Sequence, residues 1–483
     1  MQIDNKFKDK INKCVVRILA EDININWSLP YLLDEPSKGQ GTGFFIDDKG
    51  HILTCAHVVN AAKNVYIEIP EINSSKYDCE IIFICPQFDI ALLKTKKYKS
   101  KDFLLLGDSD KLNVGTEVQV VGYPVSYSTS SNNVNNLKYT VGIISGQQKG
   151  FIQTDSAINP GNSGGPLFCN NKIIGINSMK LIGDSLENIG YAIPINYYKV
   201  ISQEINHKKI IFRPNLLFGY NNTDKNIINQ LTNGKSDNGV IVSKIYDGSV
   251  LENSGITKDC IISEINNIKI DNYGLTQNYK WLGTSISIDI LLNTFKNNDI
   301  ITIKYYDVHG KSAVKIKLTP YVPITRLMYS TFENIEYFIL GGMIFMNFCA
   351  NHLLNVDKNR VDILYIMTKP EELLKPRLII SYIFPNSKID ILNNINQNDF
   401  ISKINDISVN SLDQLQRALK KPVIINNNEY IKFETENERS IILSIEDIIS
   451  QDILFSEIYK YPLNDFHVKY TKKINVLRSH KKK

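Results

Sequence analysis

The chain has 483 residues, 43% of them apolar, and a formal net charge of +5, which is length for two to four domains and apolar content for several cores. So small an excess of charge does not point to nucleic acid, and much of it lies in the runs Lys94–Lys101 and Lys481–Lys483, which read as solvated surface. The seven cysteines contain no CxxC pair, which argues against a disulfide framework or a zinc site and fits a reducing compartment.

The opening MQIDNKFKDKINKCVVRILA has neither an apolar core of signal-peptide length nor an Arg- and Ser-rich transit pattern, so cytoplasm or nucleus is the expected location. Residues 10–205 then read as β-rich. Short apolar runs such as VVRIL, GTGFFID, IALLK, EVQVVGY and KIIGINS are separated by Gly, Asn, Asp and Pro, the pattern of a sandwich or barrel.

Two segments of this region carry chemistry. TCAHVV (54–59) places His57 where a strand gives way to a turn, and GNSGGPLF (161–168) sets Ser163 among glycines. Glycines let the backbone bend so that a hydroxyl stands exposed and the N–H groups of Gly161 and Ser163, with Asn162 between them, converge on a developing oxyanion. A serine nucleophile needs a base, and the base needs a carboxylate. His51, in a DKGHIL turn, is the weaker base and His57 the stronger. Asp89 enters the apolar run IALLK, where a lone charge would be costly without a partner. Asp102, Asp108 and Asp110 lie in polar turns and are weaker choices. Cys55, two residues before His57, is poorly placed for a thiol nucleophile. Each piece alone has an ordinary structural explanation; together, in the order His, Asp, Ser, they match the chymotrypsin arrangement and not the subtilisin or α/β-hydrolase orders. The order and the β-rich setting also disfavour an esterase. A non-catalytic chaperone or PDZ scaffold would call for a damaged triad, and none is seen.

Beyond residue 208 the chain holds a weak internal repeat beginning at Gly239 and Leu378, each copy ending in a strand that reads I-S-x-I-N. Two copies are too few for a solenoid, so two related small domains are expected at 209–322 and 326–460, followed by a basic tail at 461–483. The apolar stretch Tyr337–Leu354 is barely long enough to span a bilayer and contains Gly341, Gly342, Asn347, Asn351 and His352; a Gly-hinged strand and a short helix explain it better.

The strings GTGFFID (41–47), LTCAHVV (53–59), DIALLK (89–94), VGYP (121–124), QTDSAINPGNSGGPLF (153–168) and NIGYAIP (188–194) resemble the HtrA/Deg family of ATP-independent serine proteases. NWSLPYL (26–32), ENIGYAIP (187–194) and YFILGGMIFMNF (337–348) bring the resemblance closest to the plant-type branch with two PDZ-like domains. It implies a mainly β chain: a chymotrypsin-like double β-barrel over 10–205, then two PDZ-like α+β domains. It further implies cleavage of unfolded or damaged proteins, no cofactor or metal, no membrane span, assembly into trimers or hexamers, and switching loops at 122–137 and 180–188. The primary specificity pocket is expected at Ala157, Ile158, Asn177, Ser178 and Met179; it lacks a carboxylate, so a small to medium aliphatic residue is the expected preference. PDZ domains take peptide C-termini by strand addition and amide capture of the carboxylate. Those sites are expected at Leu217, Phe218 and Gly219, and at Gly342, Met343, Ile344 and Phe345. The long run 274–295 is expected to touch neighbouring subunits.

Overall fold

The computed structural model describes residues 4–125, 136–178, 189–205, 209–355, 361–366 and 368–481. They form two compact units, residues 1–22 with 36–322 and residues 23–35 with 323–483.

The first unit opens with a closed barrel of β1 (Val15–Asp22), β2 (Ser37–Phe45), β3 (His51–Cys55), β4 (Ala62–Ile69), β5 (Asn73–Cys85) and β6 (Ile90–Thr95), in the order β1-β2-β3-β6-β5-β4. Alternate residues turn inward, and Ile18, Phe44, Ile52, Ile67, Phe83 and Leu93 are fully buried. Closure leaves no free edge on a chain so rich in β-branched residues. A second closed barrel follows from β7 (Glu117–Gly122), β8 (Lys138–Gln148), β9 (Phe151–Thr154), β10 (Pro166–Cys169), β11 (Lys172–Ser178) and β12 (Gly190–Pro194). The chain is thus mainly β, with the double barrel that the family resemblance implied.

The second barrel does not end the unit. Its core runs without a break into a sheet of β13 (Phe218–Asn221), β14 (Val240–Ile245), β15 (Ile261–Ile265), β16 (Ile268–Lys269), β19 (Ile300–Asp307) and β20 (Gly310–Lys317). The hairpin β17 (Leu275–Trp281) and β18 (Thr284–Ser287) is the long insert expected to face neighbours. Within its own unit the hairpin is anchored near its tip: Trp281 Nε1 donates to Ser109 O at 3.0 Å, and Gln147 donates to Thr284 Oγ1 at 3.0 Å. The connector is equally fixed. Arg213, 3% exposed, donates to Glu204 at 2.9 Å, and Asn297 closes the other carboxylate oxygen at 2.6 Å.

The second unit holds one sheet, β21 (Phe338–Leu340), β22 (Met343–Asn347), β23 (Leu378–Ile383), β24 (Phe400–Ile404), β27 (Asn428–Thr435) and β26 (Val423–Ile425) in that order, with β25 (Ile407–Ser408) on β24 and β28 (Ser440–Ser444) on β27. Two boundaries differ from expectation. Residues 23–35 belong here, because Trp27, Leu29 and Tyr31 join an aromatic cluster with Tyr337, Phe384 and Tyr461. The expected basic tail is a helix, Asp465–Lys481, whose His467 and Tyr470 are buried. The apolar stretch 337–354 is the β21–β22 hairpin and a 3-10 turn; no helix of the described residues is long and apolar enough to cross a membrane.

Candidate active site

The first barrel supplies an imidazole and a carboxylate. β3 ends at Cys55, and one 3-10 turn, Ala56–Val58, carries His57. Asp89 closes the short connection from β5 to β6 with φ +57°, a left-handed conformation that side chains other than glycine seldom adopt. Its backbone O accepts from Ala56 N at 3.0 Å. Its carboxylate accepts the His57 N–H on Oδ1 at 2.9 Å, meets His57 Nδ1 with Oδ2 at 2.7 Å, and accepts the Ser178 hydroxyl on Oδ2 at 3.0 Å. One aspartate therefore holds both the backbone and the ring of one histidine. With the Nδ1 proton turned to the carboxylate, Nε2 has the lone pair a base needs.

Cys55 lies beside this pair, fully buried, its thiol donating to Asn177 O at 3.2 Å. Burial, with the nearby Asp89 charge, pushes the thiol well above its ordinary range, so it is not a thiolate nucleophile. The ligand atoms of Cys55, His57 and Asp89 lie within 4.8 Å of one another, the one such group among the described residues. A metal there would take the contact that orients His57, so the two uses exclude each other. His51 is paired elsewhere, its Nδ1 2.6 Å from Asp47 Oδ2, and Asp108 is held by Asn196 at 2.8 Å.

Ser163 sits on the turn between β9 and β10, pinned from both barrels. Thr42 of β2 donates its N–H to Ser163 O at 2.9 Å and its hydroxyl to Gly161 O at 2.7 Å. From β11, Asn177 O accepts Gly164 N at 2.8 Å, and the Asn177 side chain donates to Pro166 O at 3.1 Å. Gly161 has φ +94°, and a Cβ there would lie 2.4 Å from Tyr123 O; only glycine fits. Among the described residues no acceptor meets the Gly161 N–H. Asn162 does not share this freedom: its N–H donates to Asn159 O at 2.9 Å and its side chain is buried. The Asn162 N–H is therefore engaged within the turn.

The residues expected to line the specificity pocket fall in unlike surroundings. Ala157 is exposed, and Ile158 is buried with its Cδ1 2.9 Å from where a Gly190 Cβ would stand. Asn177 and Ser178 are fully buried, and their side chains brace the Ser163 turn and Asp89 respectively. Met179 and the greater part of the two expected switching loops lie outside the described residues. The bracing role of Ser178 and the glycine at 190 were missed in the sequence. The only signals were a serine ending the strand KIIGINS and a lone glycine heading GYAIP.

The two expected peptide loops fall in unlike places. Leu217 has φ +50° and donates its N–H to Asn215 Oδ1 at 2.7 Å; Phe218 and Gly219 begin β13, the end strand of its sheet. Gly342 lies in the β21–β22 turn, and Met343, Ile344 and Phe345 are fully buried on a strand paired on both sides, by β21 and β23, not on an open edge.

With this geometry in hand, comparison with known proteins is direct. Residues 41–176 match the trypsin-like peptidase domain and residues 329–454 the PDZ domain. The periplasmic pH-dependent serine endoprotease DegQ of Escherichia coli (strain K12) is 29% identical over 297 residues, covering 57% of this chain and 64% of that protein. The serine protease Do-like HtrA of Bacillus subtilis (strain 168) is 29% identical over 289 residues, covering 54% and 62%. The mitochondrial serine protease HTRA2 of Drosophila erecta is 26% identical over 353 residues, covering 66% and 76%. The chain thus spans less than two thirds of the length of the two bacterial relatives. An alanine variant of the HtrA-type protease AlgW, solved with a decapeptide, superposes with a TM-score of 0.50 at 19% identity over 66% of this chain and 98% of that one, a likeness of fold.

Proposed function

We propose that this chain, in which residues matching the trypsin-like peptidase domain are followed by residues matching the PDZ domain, is a serine endopeptidase that cleaves unfolded or damaged proteins without ATP. His57, Asp89 and Ser163 are its triad, and the N–H groups of Gly161 and Ser163 its oxyanion hole. The observation that carries this reading is the double hold of Asp89 on His57, at 2.9 Å to the backbone and 2.7 Å to the ring, next to a serine turn pinned by Thr42 and Asn177.

Ser163 Oγ attacks the peptide carbonyl while His57 Nε2 takes its proton. The tetrahedral oxyanion rests on the two N–H groups, and the imidazolium on Asp89. Collapse expels the amine, which leaves with the proton from His57; water then repeats the cycle on the acyl-enzyme. Ala157 and Ile158 put no carboxylate in the pocket, which supports cleavage after small to medium aliphatic residues. The sheet of residues 218–317 and the sheet of 338–444 repeat the order the sequence suggested, which supports PDZ-like domains at 209–322 and 326–460 and the two-PDZ branch of the family. Trimers or hexamers follow from the family resemblance, and the end strand β13 is where a peptide C-terminus would add to the first of these domains. Incubation with casein tests the activity: the chain degrades it, and Ser163→Ala stops turnover without altering the fold. Cleavage by the pure variant would remove the assignment.

A further inference from the structure

We infer that the second PDZ-like domain is closed by its own chain: Asp452 occupies the carboxylate position of its glycine turn, and β21 occupies the strand edge that a peptide would join. PDZ domains recognise a C-terminus through two features, backbone amides that take the carboxylate and a strand edge that takes the peptide. Both features are present here, and both are filled.

Gly341 and Gly342 have φ +64° and +79°. Two successive left-handed residues turn their N–H groups toward one point, and the Asp452 carboxylate stands there. Gly341 N donates to Oδ2 at 2.7 Å and Gly342 N to Oδ1 at 2.9 Å. This is a two-pronged, charge-assisted contact of the kind a peptide carboxylate makes. Asp452 belongs to the helix Ile445–Tyr459 and is 0% exposed. The turn is packed on its other side as well: a Cβ on Gly342 would lie 2.5 Å from Ser387 Cβ and 2.8 Å from Gln451 Nε2, so only glycine fits there.

The lock is held from behind. His467 Nε2 lies 2.9 Å from Asp452 Oδ2, and Asn464 N donates to His467 Nδ1 at 3.3 Å, which leaves the ring proton on Nε2, facing the aspartate. The same segment covers the sheet. β22 is flanked by β21 and β23, and the Ile339 carbonyl of β21 accepts from Asn464 Nδ2 at 2.8 Å. Asn464 and His467 lie beyond the residues that match the PDZ domain, 329–454. An extension past the domain therefore supplies the groups that seal it. A free peptide must displace a buried, covalently attached carboxylate that is already oriented, so peptide reading falls to the first domain and the second serves as a fixed element.

The test uses the full chain with Ser163→Ala, so that no outcome depends on proteolysis. Photo-crosslinking peptides with an apolar C-terminal residue are presented as free acids and as amides, and adducts are mapped by mass spectrometry. The expected result is no carboxylate-dependent adduct on residues 338–347 or 411–419, even at millimolar peptide; such adducts would overturn the inference. Amide hydrogen exchange is the second readout. Gly341 and Gly342 exchange slowly in the parent and at least tenfold faster in Asp452→Ala, while exchange across β24 and β27 is unchanged; unaltered exchange at the two glycines would also overturn it. Should Asp452→Ala unfold the unit, His467→Gln gives the same comparison, with a smaller rise confined to the glycine turn expected and no rise contradicting it.

Discussion

The His57–Asp89 and His467–Asp452 pairs share their parts: a ring nitrogen 2.7 and 2.9 Å from a carboxylate that also accepts backbone N–H groups. They differ in what is left over. His57 and Asp89 side chains are 27% and 9% exposed, while both members of the second pair are 0% exposed. His57 turns Nδ1 to its aspartate, which leaves Nε2 for chemistry. His467 turns Nε2 to its aspartate and spends Nδ1 on Asn464, which leaves no nitrogen for a substrate. A histidine–aspartate contact alone is thus no sign of catalysis; the orientation of the ring and an open side decide it.

Substitutions can break that comparison. Asp89→Asn, which keeps the shape but favours the wrong tautomer, should lower kcat by about four orders of magnitude. The readout is single-turnover cleavage of casein, and a loss below a hundredfold would deny Asp89 its orienting role. The matching change in the sealed pair acts on stability. His467→Ala takes one hydrogen bond from the buried Asp452 carboxylate, which keeps the Gly341 and Gly342 N–H groups, and should cost roughly 2–3 kcal/mol in the second unit. His57→Ala, at the open pair, should cost only about 1 kcal/mol. Urea unfolding followed by fluorescence separates the two: in Trp281→Phe the remaining Trp27 reports the second unit, and in Trp27→Phe the remaining Trp281 reports the first.

A third histidine, with no carboxylate, sharpens the contrast. His352 is packed by Trp27 and Phe348 and contacts Cys349 and Met346. Burial lowers its pKa to about 4. Its folded pKa lies below its unfolded one, so the unfolded chain binds the proton more readily; stability is full above the unfolded value and is lost as pH falls from about 6.5 toward 4. The second unit should therefore be about 2 kcal/mol less stable near pH 5 than at neutral pH, and His352→Gln should flatten that slope. An unchanged slope in the variant would assign the acid sensitivity elsewhere. The smallest expected effect is at Ser178→Ala, which removes one of the bonds on Asp89 and should lower kcat about tenfold with KM unchanged; a change in KM alone would make Ser178 a pocket residue after all.

The sequence exposed the site better than the units. His57 and Ser163 are legible because glycines and a strand end surround them in short strings, and the barrel strands because alternate residues are apolar. Asp89 was legible as a costly charge, but its left-handed backbone and its Ser178 brace depend on contacts across 89 positions of sequence. Trp27 and Tyr31 could not be assigned to the second unit from the sequence, since their partners lie beyond residue 330. The final helix was hidden by its lysines, although Phe466, Tyr470 and Ile474 recur at the four-residue spacing of one helical face and pack on the core.

A fluorophosphonate probe followed by peptide mapping tests the central claim most directly. The account predicts one adduct, on Ser163, lost in His57→Ala. Casein cleavage by a chain that takes no adduct, or an adduct on another serine, would contradict it.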